Sequence, residues 1–145
     1  MKERGGDHES YLLRLLERGA HTRRSLEERL LRRGADGTEI AALLGRFEAL
    51  GYIDDGLYAR LYVEGHGDRG KRRLRDDLRR RGVAEATIAA ALEEKDDEEE
   101  AAFGLALQWH ERGVESRLIA GRLLRRGFPP ALVRSLLDRL ERKAP

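Results

Sequence analysis

The side chains best equipped for chemistry in this sequence are guanidinium groups. Of 29 basic residues, 25 are arginine and 4 lysine, and they cluster. Residues 69–82 carry eight basic groups and two acids, a charge of +6, and residues 112–143 carry nine and three, also +6. Between them, residues 93–100 hold seven acids and one lysine, −6, so a net charge of +2 leaves +8 for the rest of the chain. Forked cations in blocks separated by an acidic block are the chemistry of contact with a polyanion, an acidic protein surface, or both. A solvated helix face has the same composition. The excess of arginine over lysine is what genomic base composition alone produces, so it carries no weight toward phosphate.

Patterns for catalysis or metal binding are missing. His8, His21, His66 and His110 have no second histidine or carboxylate at the spacing of a helical metal site, apart from incidental neighbours such as Glu9 beside His8. Ser10, Ser25, Ser116 and Ser135 lack a strand-to-helix elbow. There is no cysteine, which excludes disulfides and thiolate chemistry and suits a reducing cytoplasm. Asp54 and Asp55 read as helix caps rather than as a Mg²⁺ site. The stretch 65–71, Gly-His-Gly-Asp-Arg-Gly-Lys, lacks nucleotide-loop spacing and has no strand before it, so it reads as a hinge. Trp109 reads as core rather than as a base-stacking platform. The expectation is a binding protein with no cofactor and no metal, not an enzyme.

Elements that position the arginines follow from a repeat. Arg-Arg-Gly occurs three times, ending at Gly34, Gly82 and Gly127. Eight residues before the glycine stand Leu26, Leu74 and Ile119; four before it, Leu30, Leu78 and Leu123. Six after it stand Ile40, Ile88 and Val133; ten after it, Leu44, Leu92 and Leu137. Apolar residues four apart share one helical face, and a glycine just past the last of them ends the helix. Middle helices are therefore predicted over 22–33, 70–81 and 115–126, and third helices over 36–50, 84–95 and 129–142. Thr22, Gly70 and Glu115 stand where N-caps belong, glutamate being a poor one.

First helices carry Tyr11, Leu12, Leu15 and Leu16 in one copy and Leu57, Tyr58, Leu61 and Tyr62 in the next. In the third copy Phe103, Leu107 and His110 line one side, with Ala102, Ala106 and Trp109 close by. Residues 84–112 are readable as two helices or one. The predicted fold is all-α, with no sheet: nine helices in three tandem three-helix repeats, 10–53, 54–95 and 96–143, after a disordered tail at 1–9. Units this small lean on their neighbours, so an elongated or curved shape is expected. With 40% hydrophobic and 39% charged residues, no stretch approaches the ~18 apolar residues of a membrane span, and the polar N-terminus is not a signal peptide.

Placing Leu74 and Leu78 inward on a helical wheel turns Arg72 and Arg79 outward, with Arg75 beside them and Arg73 and Arg80 flanking the other side. These five, with Arg32 and Arg125 from the flanking copies, are the candidate contact surface. Arg33, Arg81 and Arg126 fall nearer the apolar side and read as helix-end supports.

The ordered set of motifs resembles the RecX family. Gly51-Tyr52-Ile53-Asp54-Asp55, followed by Tyr58-Ala59 and Tyr62-Val63, looks like its signature. His21-Thr22-Arg23-Arg24-Ser25-Leu26 running into Leu30-Leu31-Arg32-Arg33-Gly34 resembles its first repeat. Gly70 with Leu74, Leu78 and Arg81-Gly82-Val83 resembles the second, and Leu123-Leu124-Arg125-Arg126-Gly127-Phe128 the third. The resemblance spans residues 10–141. It implies tandem three-helix repeats without catalysis. It also implies a regulator that lodges in the groove of the RecA–DNA filament, inhibits strand exchange and coupled ATP hydrolysis, and often binds DNA. Glu64 and His66 stand where relatives are more basic, and the 93–100 acidic run is dense, so DNA binding on its own is expected to be weak. A cytoplasmic monomer is expected. The rival reading, a helix-turn-helix DNA regulator, fares worse, because the third helices open Asp36-Gly37-Thr38-Glu39 and Ala84-Glu85-Ala86-Thr87 and offer no base readers.

Overall fold

Three Arg-Arg-Gly strings close three helices in the same way. In the computed structural model, which describes residues 2–143, Gly34, Gly82 and Gly127 have φ of 92°, 84° and 92°. This left-handed conformation is one that side chains avoid. The residue after each glycine donates its N–H back to the helix: Ala35 to the Leu30 carbonyl, Val83 to Leu78 and Phe128 to Leu123, each at 3.1 Å. Ala35, Val83 and Phe128 are all buried. A hydrogen-bonded reversal locked by an apolar residue beyond it is a Schellman motif, and it closes all three Arg-Arg-Gly helices.

Nine α-helices follow in order among the described residues, and no strand. They are α1 (Lys2–Arg18), α2 (Arg23–Arg32), α3 (Gly37–Ala49), α4 (Asp55–Gly65), α5 (Lys71–Arg80), α6 (Glu85–Glu93), α7 (Glu98–Glu111), α8 (Ser116–Arg125) and α9 (Pro130–Lys143). Residues 84–112 hold two helices, with 94–97 between them. Eleven of the twelve register positions are buried. The exception is Leu137, half-buried, because α9 turns Val133, Leu136 and Leu140 inward instead.

Three expectations are corrected. First, residues 2–9 belong to α1 rather than to a disordered tail; Met1 lies outside the described residues. Among them His8 is buried, Asp7 pairs with Arg33, and Glu9 meets Arg46 at 2.8 Å, so residues 7–9 are held by their own side chains. Second, α4 buries Ala59 and Val63 and leaves Leu57 and Leu61 exposed. Both pairs have helical spacing, and the smaller residues lie on the side that packs closely. Third, α7 buries Ala102, Ala106 and Trp109, while Phe103, Leu107 and His110 are half-buried.

The chain divides into two compact units. One joins the residues up to 60 with 78–88; the other joins 61–77 with the residues from 89 onward. Each has its own core. In the first, Leu12, Leu26, Leu30, Leu44 and Phe47 are essentially fully buried. In the second, Ile119, Leu123, Phe128 and Leu136 have no exposed surface, and Trp109 closes the edge. The helices of the middle repeat are shared out between the two units.

Candidate partner-binding grooves

Each unit contains a junction where the start of one middle helix meets the end of the next. In the first unit, Thr22 Oγ1 accepts the Ser25 N–H at 3.2 Å and donates to the Arg81 carbonyl at 2.7 Å. The next residue's N–H, from Arg23, is capped by Asp55 Oδ1 at 3.0 Å, and the Arg24 side chain packs on Gly82. In the second unit, the Gly70 N–H donates to the Arg126 carbonyl at 2.7 Å. There the Lys71 N–H is capped by Glu98 Oε2 at 2.6 Å, and the Arg73 backbone packs on Gly127. Counted from the repeat glycines, the helix start, the capped N–H and the accepting carbonyl stand at the same positions in both junctions, while the capping acid is shifted by two residues and the packed arginine by one. Helix ends leave orphan donors and acceptors. Here a donor at the start of one helix, the Thr22 hydroxyl or the Gly70 N–H, satisfies an orphan carbonyl at the end of the next, and an acid from the following repeat takes an orphan N–H.

A groove opens at each junction. In the first unit a cavity of about 370 Å³ is lined by His21, Thr22, Arg24, Ser25, Glu28, Tyr58, Arg80 and Arg81, with Ala20 at its edge. Burial, and then the charge of Arg29, hold the His21 imidazole below its ordinary value, so this groove takes its positive charge from arginine. In the second unit a cavity of about 530 Å³ is lined by Asp68, Arg69, Arg73, Trp109, Arg122, Arg125 and Arg126. The Trp109 ring lies under two guanidinium groups, Arg122 at 5.2 Å and Arg126 at 5.3 Å, a cation–π arrangement that holds both forks. Arg126 also pairs with Asp68 at 2.6 Å.

Below this second groove lies a buried carboxylate. Asp77 accepts from Arg69 at 2.7 Å, from Arg73 at 3.0 Å and from the Tyr62 hydroxyl at 3.1 Å. Burial alone would raise its pKa; the hydrogen bonds from Arg73, Arg69 and Tyr62 outweigh that and hold it below the ordinary carboxylate value. Asp77 therefore stays charged and fixes the two arginines at the groove wall. Arg122 and Arg125 have no carboxylate partner among the described residues, and they face whatever enters.

The structure distributes the seven candidate arginines over four places. Arg80 lines the first groove; Arg73 and Arg125 line the second. Arg72, Arg75 and Arg79 lie on the outward side of α5, away from both grooves, with Arg75 half-buried and Arg79 paired with Glu85. Arg32 is exposed at the end of α2. Sequence reasoning missed Arg24, Arg69 and Arg122. It assigned Arg81 and Arg126 to helix support, and they line the grooves as well. The signal that finds them is the register itself: Arg80 and Arg125 stand two before the glycine, Arg81 and Arg126 one before it. The acidic run also gains a place, since Glu98 caps α5 and the buried Lys95 ammonium meets Asp97 at 2.9 Å.

Tandem three-helix repeats with arginine-lined junctions define an all-α helical-repeat protein; no metal-holding group of His, Asp and Glu is found among the described residues. Residues 54–92 match the family model described as RecX, second three-helix domain. The chain is 41% identical over 127 residues to the regulatory protein RecX of Thermus thermophilus, covering 86% of both chains. It is 36% identical over 136 residues to that of Thermobifida fusca, covering 86% of this chain and 74% of the relative. The crystal structure of RecX from Lactobacillus salivarius has the same fold, with a TM-score of 0.86 at 20% identity over 97% of this chain and 99% of that one. The chain belongs to the RecX family of regulatory proteins, and it is not an enzyme. No helix among the described residues is long and apolar enough to cross a membrane.

Proposed function

We propose that the chain regulates the RecA recombinase by lodging in the groove of the RecA–DNA filament and inhibiting it, in cytoplasmic DNA repair and recombination. The supporting observation is the arginine-lined groove repeated in register at two junctions. A ligand that is itself periodic, a strand of phosphates or a row of identical subunits, is met by a repeated surface. Both grooves and the outward face of α5 contribute. Affinity for naked DNA is weak because Glu64, Asp68 and the 93–100 run oppose it.

The test compares two variants with the parent against RecA filaments and, in parallel, against naked single-stranded DNA. One replaces Arg72, Arg75 and Arg79 with alanine; the other replaces Arg122 and Arg125. Arg72, Arg79 and Arg125 are exposed and Arg75 and Arg122 half-buried, so the circular dichroism spectrum of each variant is compared with the parent's before binding is read. Each variant is expected to inhibit RecA less and to show a shallower salt dependence of binding, because several cation–phosphate contacts act together through counterion release. Equal losses on DNA and filament identify phosphate as the partner. If both variants fold and inhibit as the parent does, the proposed surface is wrong.

A further inference from the structure

The junction surface occurs twice as a joined pair and once more as two separate halves. One half is the end of a middle helix. At Gly82 and Gly127 this half is covered, by Arg24 and Arg73 respectively. At Gly34 a Cβ would meet nothing within 4 Å. Beside it Leu31 is 53% exposed, and Arg32 is exposed with no partner among the described residues. The other half is the start of a middle helix. Thr22 and Gly70 fill it at the two joined junctions. In the third repeat the same positions hold Glu115, Arg117 and Leu118, with the Glu115 and Arg117 side chains 71% and 85% exposed and Leu118 47% exposed.

We infer that these two halves dock onto each other between copies of the chain, α8 of one copy starting where α2 of the next copy ends. The occupant of the Gly34 surface is thus a second copy of this protein. Three observations select it. The two halves are repeat-equivalents of surfaces that already fit each other twice. Their charges complement each other: the Glu115 carboxylate, which cannot donate to a carbonyl as Thr22 does, faces the free Arg32 fork. An acid also stands where the first junction has one: Asp7 lies 27 residues before Gly34 as Asp55 lies 27 before Gly82, and its side chain, beside Arg33, is 58% exposed. In the joined junction Asp55 caps the Arg23 N–H; here Asp7 is placed to cap the Ser116 N–H of the neighbour.

An interface made of two different surfaces is heterologous, and it propagates head to tail. The contact is small, so free copies hold it weakly, and copies laid side by side along a filament hold it well. That last consequence rests on the proposed function; the docking itself does not.

The absence of cysteine allows a direct test in the protein alone, without RecA or DNA. Arg33→Cys and Glu115→Cys introduce thiols at the positions that Arg81 and Thr22 occupy in the joined junction. Mixed under mild oxidation, the two single variants are expected to give the R33C–E115C product in excess over either homodimer. The double variant is expected to give a ladder of products in steps of one chain mass. Adding Leu118→Asp, which lies on the exposed start of α8, should abolish the ladder while the circular dichroism spectrum stays unchanged. Random yields of the three dimers, or a ladder that survives Leu118→Asp, overturn the inference. Inhibition of RecA by the parent is read separately, so failure of the proposed function leaves the cross-linking result standing.

Discussion

Asp77 is the residue on which the second groove most depends. Its side chain is 8% exposed, while Arg69 and Arg73 keep 27% and 40%, so solvent screens part of each pair. Asp77→Asn is therefore expected to cost about 1–3 kcal/mol at pH 7, below the range for a fully buried pair. The sign with pH follows from the depressed pKa. The carboxylate contributes stability above its unfolded value, about 3.9, and that contribution is lost as pH falls through the lower folded value. The gap between parent and variant in urea titrations should hence be full at pH 7 and close below about pH 4. A gap independent of pH would assign the loss to shape rather than charge. Arg73 and Arg125 were legible as candidates because they flank an apolar helix face. Asp77 was not, because a wheel centred on Leu74 and Leu78 cannot show that Tyr62 and Arg69 arrive from the preceding segment to bury it.

At the level of helices, the register around three glycines carried most of the fold. Twelve aliphatic positions at helical spacing leave little choice of face. The first helices were less legible, since Leu57 and Leu61 have the same spacing as Ala59 and Val63, and side-chain size favours the wrong pair. Close approach selects the small residue. Close approach also explains Gly70. Its φ is ordinary, yet a Cβ there would overlap the Gly127 carbonyl, which is backbone and cannot rotate away. Gly70→Ala is expected to destabilise the protein by about 1–3 kcal/mol through overpacking. Gly34→Ala meets no neighbour and bears only the backbone term of about 1–2 kcal/mol. Gly127→Ala bears both, since the Arg73 backbone closes on it, and thermal unfolding of the three variants should rank it last in stability.

For the whole molecule, the repeat seen in the sequence and the compact unit seen in the structure are different objects. The α5 helix begins in one unit, where the Arg126 carbonyl takes the Gly70 N–H. It ends in the other, where Thr22 takes the Arg81 carbonyl. Sequence periodicity cannot show this, because it counts positions within a repeat, and the bonds run between repeats. The middle repeat by itself lacks both partners, and its residues pack partly with the chain before it and partly with the chain after it. A peptide of residues 54–95 is accordingly expected to be largely unfolded by circular dichroism at 25 °C, although it contains the whole segment matched by the family model. A cooperative thermal transition in that peptide would show that the repeat folds alone.

The Thr22–Arg81 hydrogen bond spans 59 residues, and it points from an earlier repeat to a later one. A ribosome adding about 5–20 residues per second makes the hydroxyl roughly 3–12 s before its acceptor exists. Gly70 waits in the same way for Arg126. The first and second repeats are thus each finished by the one translated after it, and until then the nascent chain carries an unsatisfied helix start. Chains arrested on the ribosome with residue 75 just outside the exit tunnel should be cut readily by protease around 20–25. Chains arrested with residue 90 outside should resist there, because the first unit has only then received its last segment. Synthesis proceeds forward, and completion of the fold trails it by one repeat.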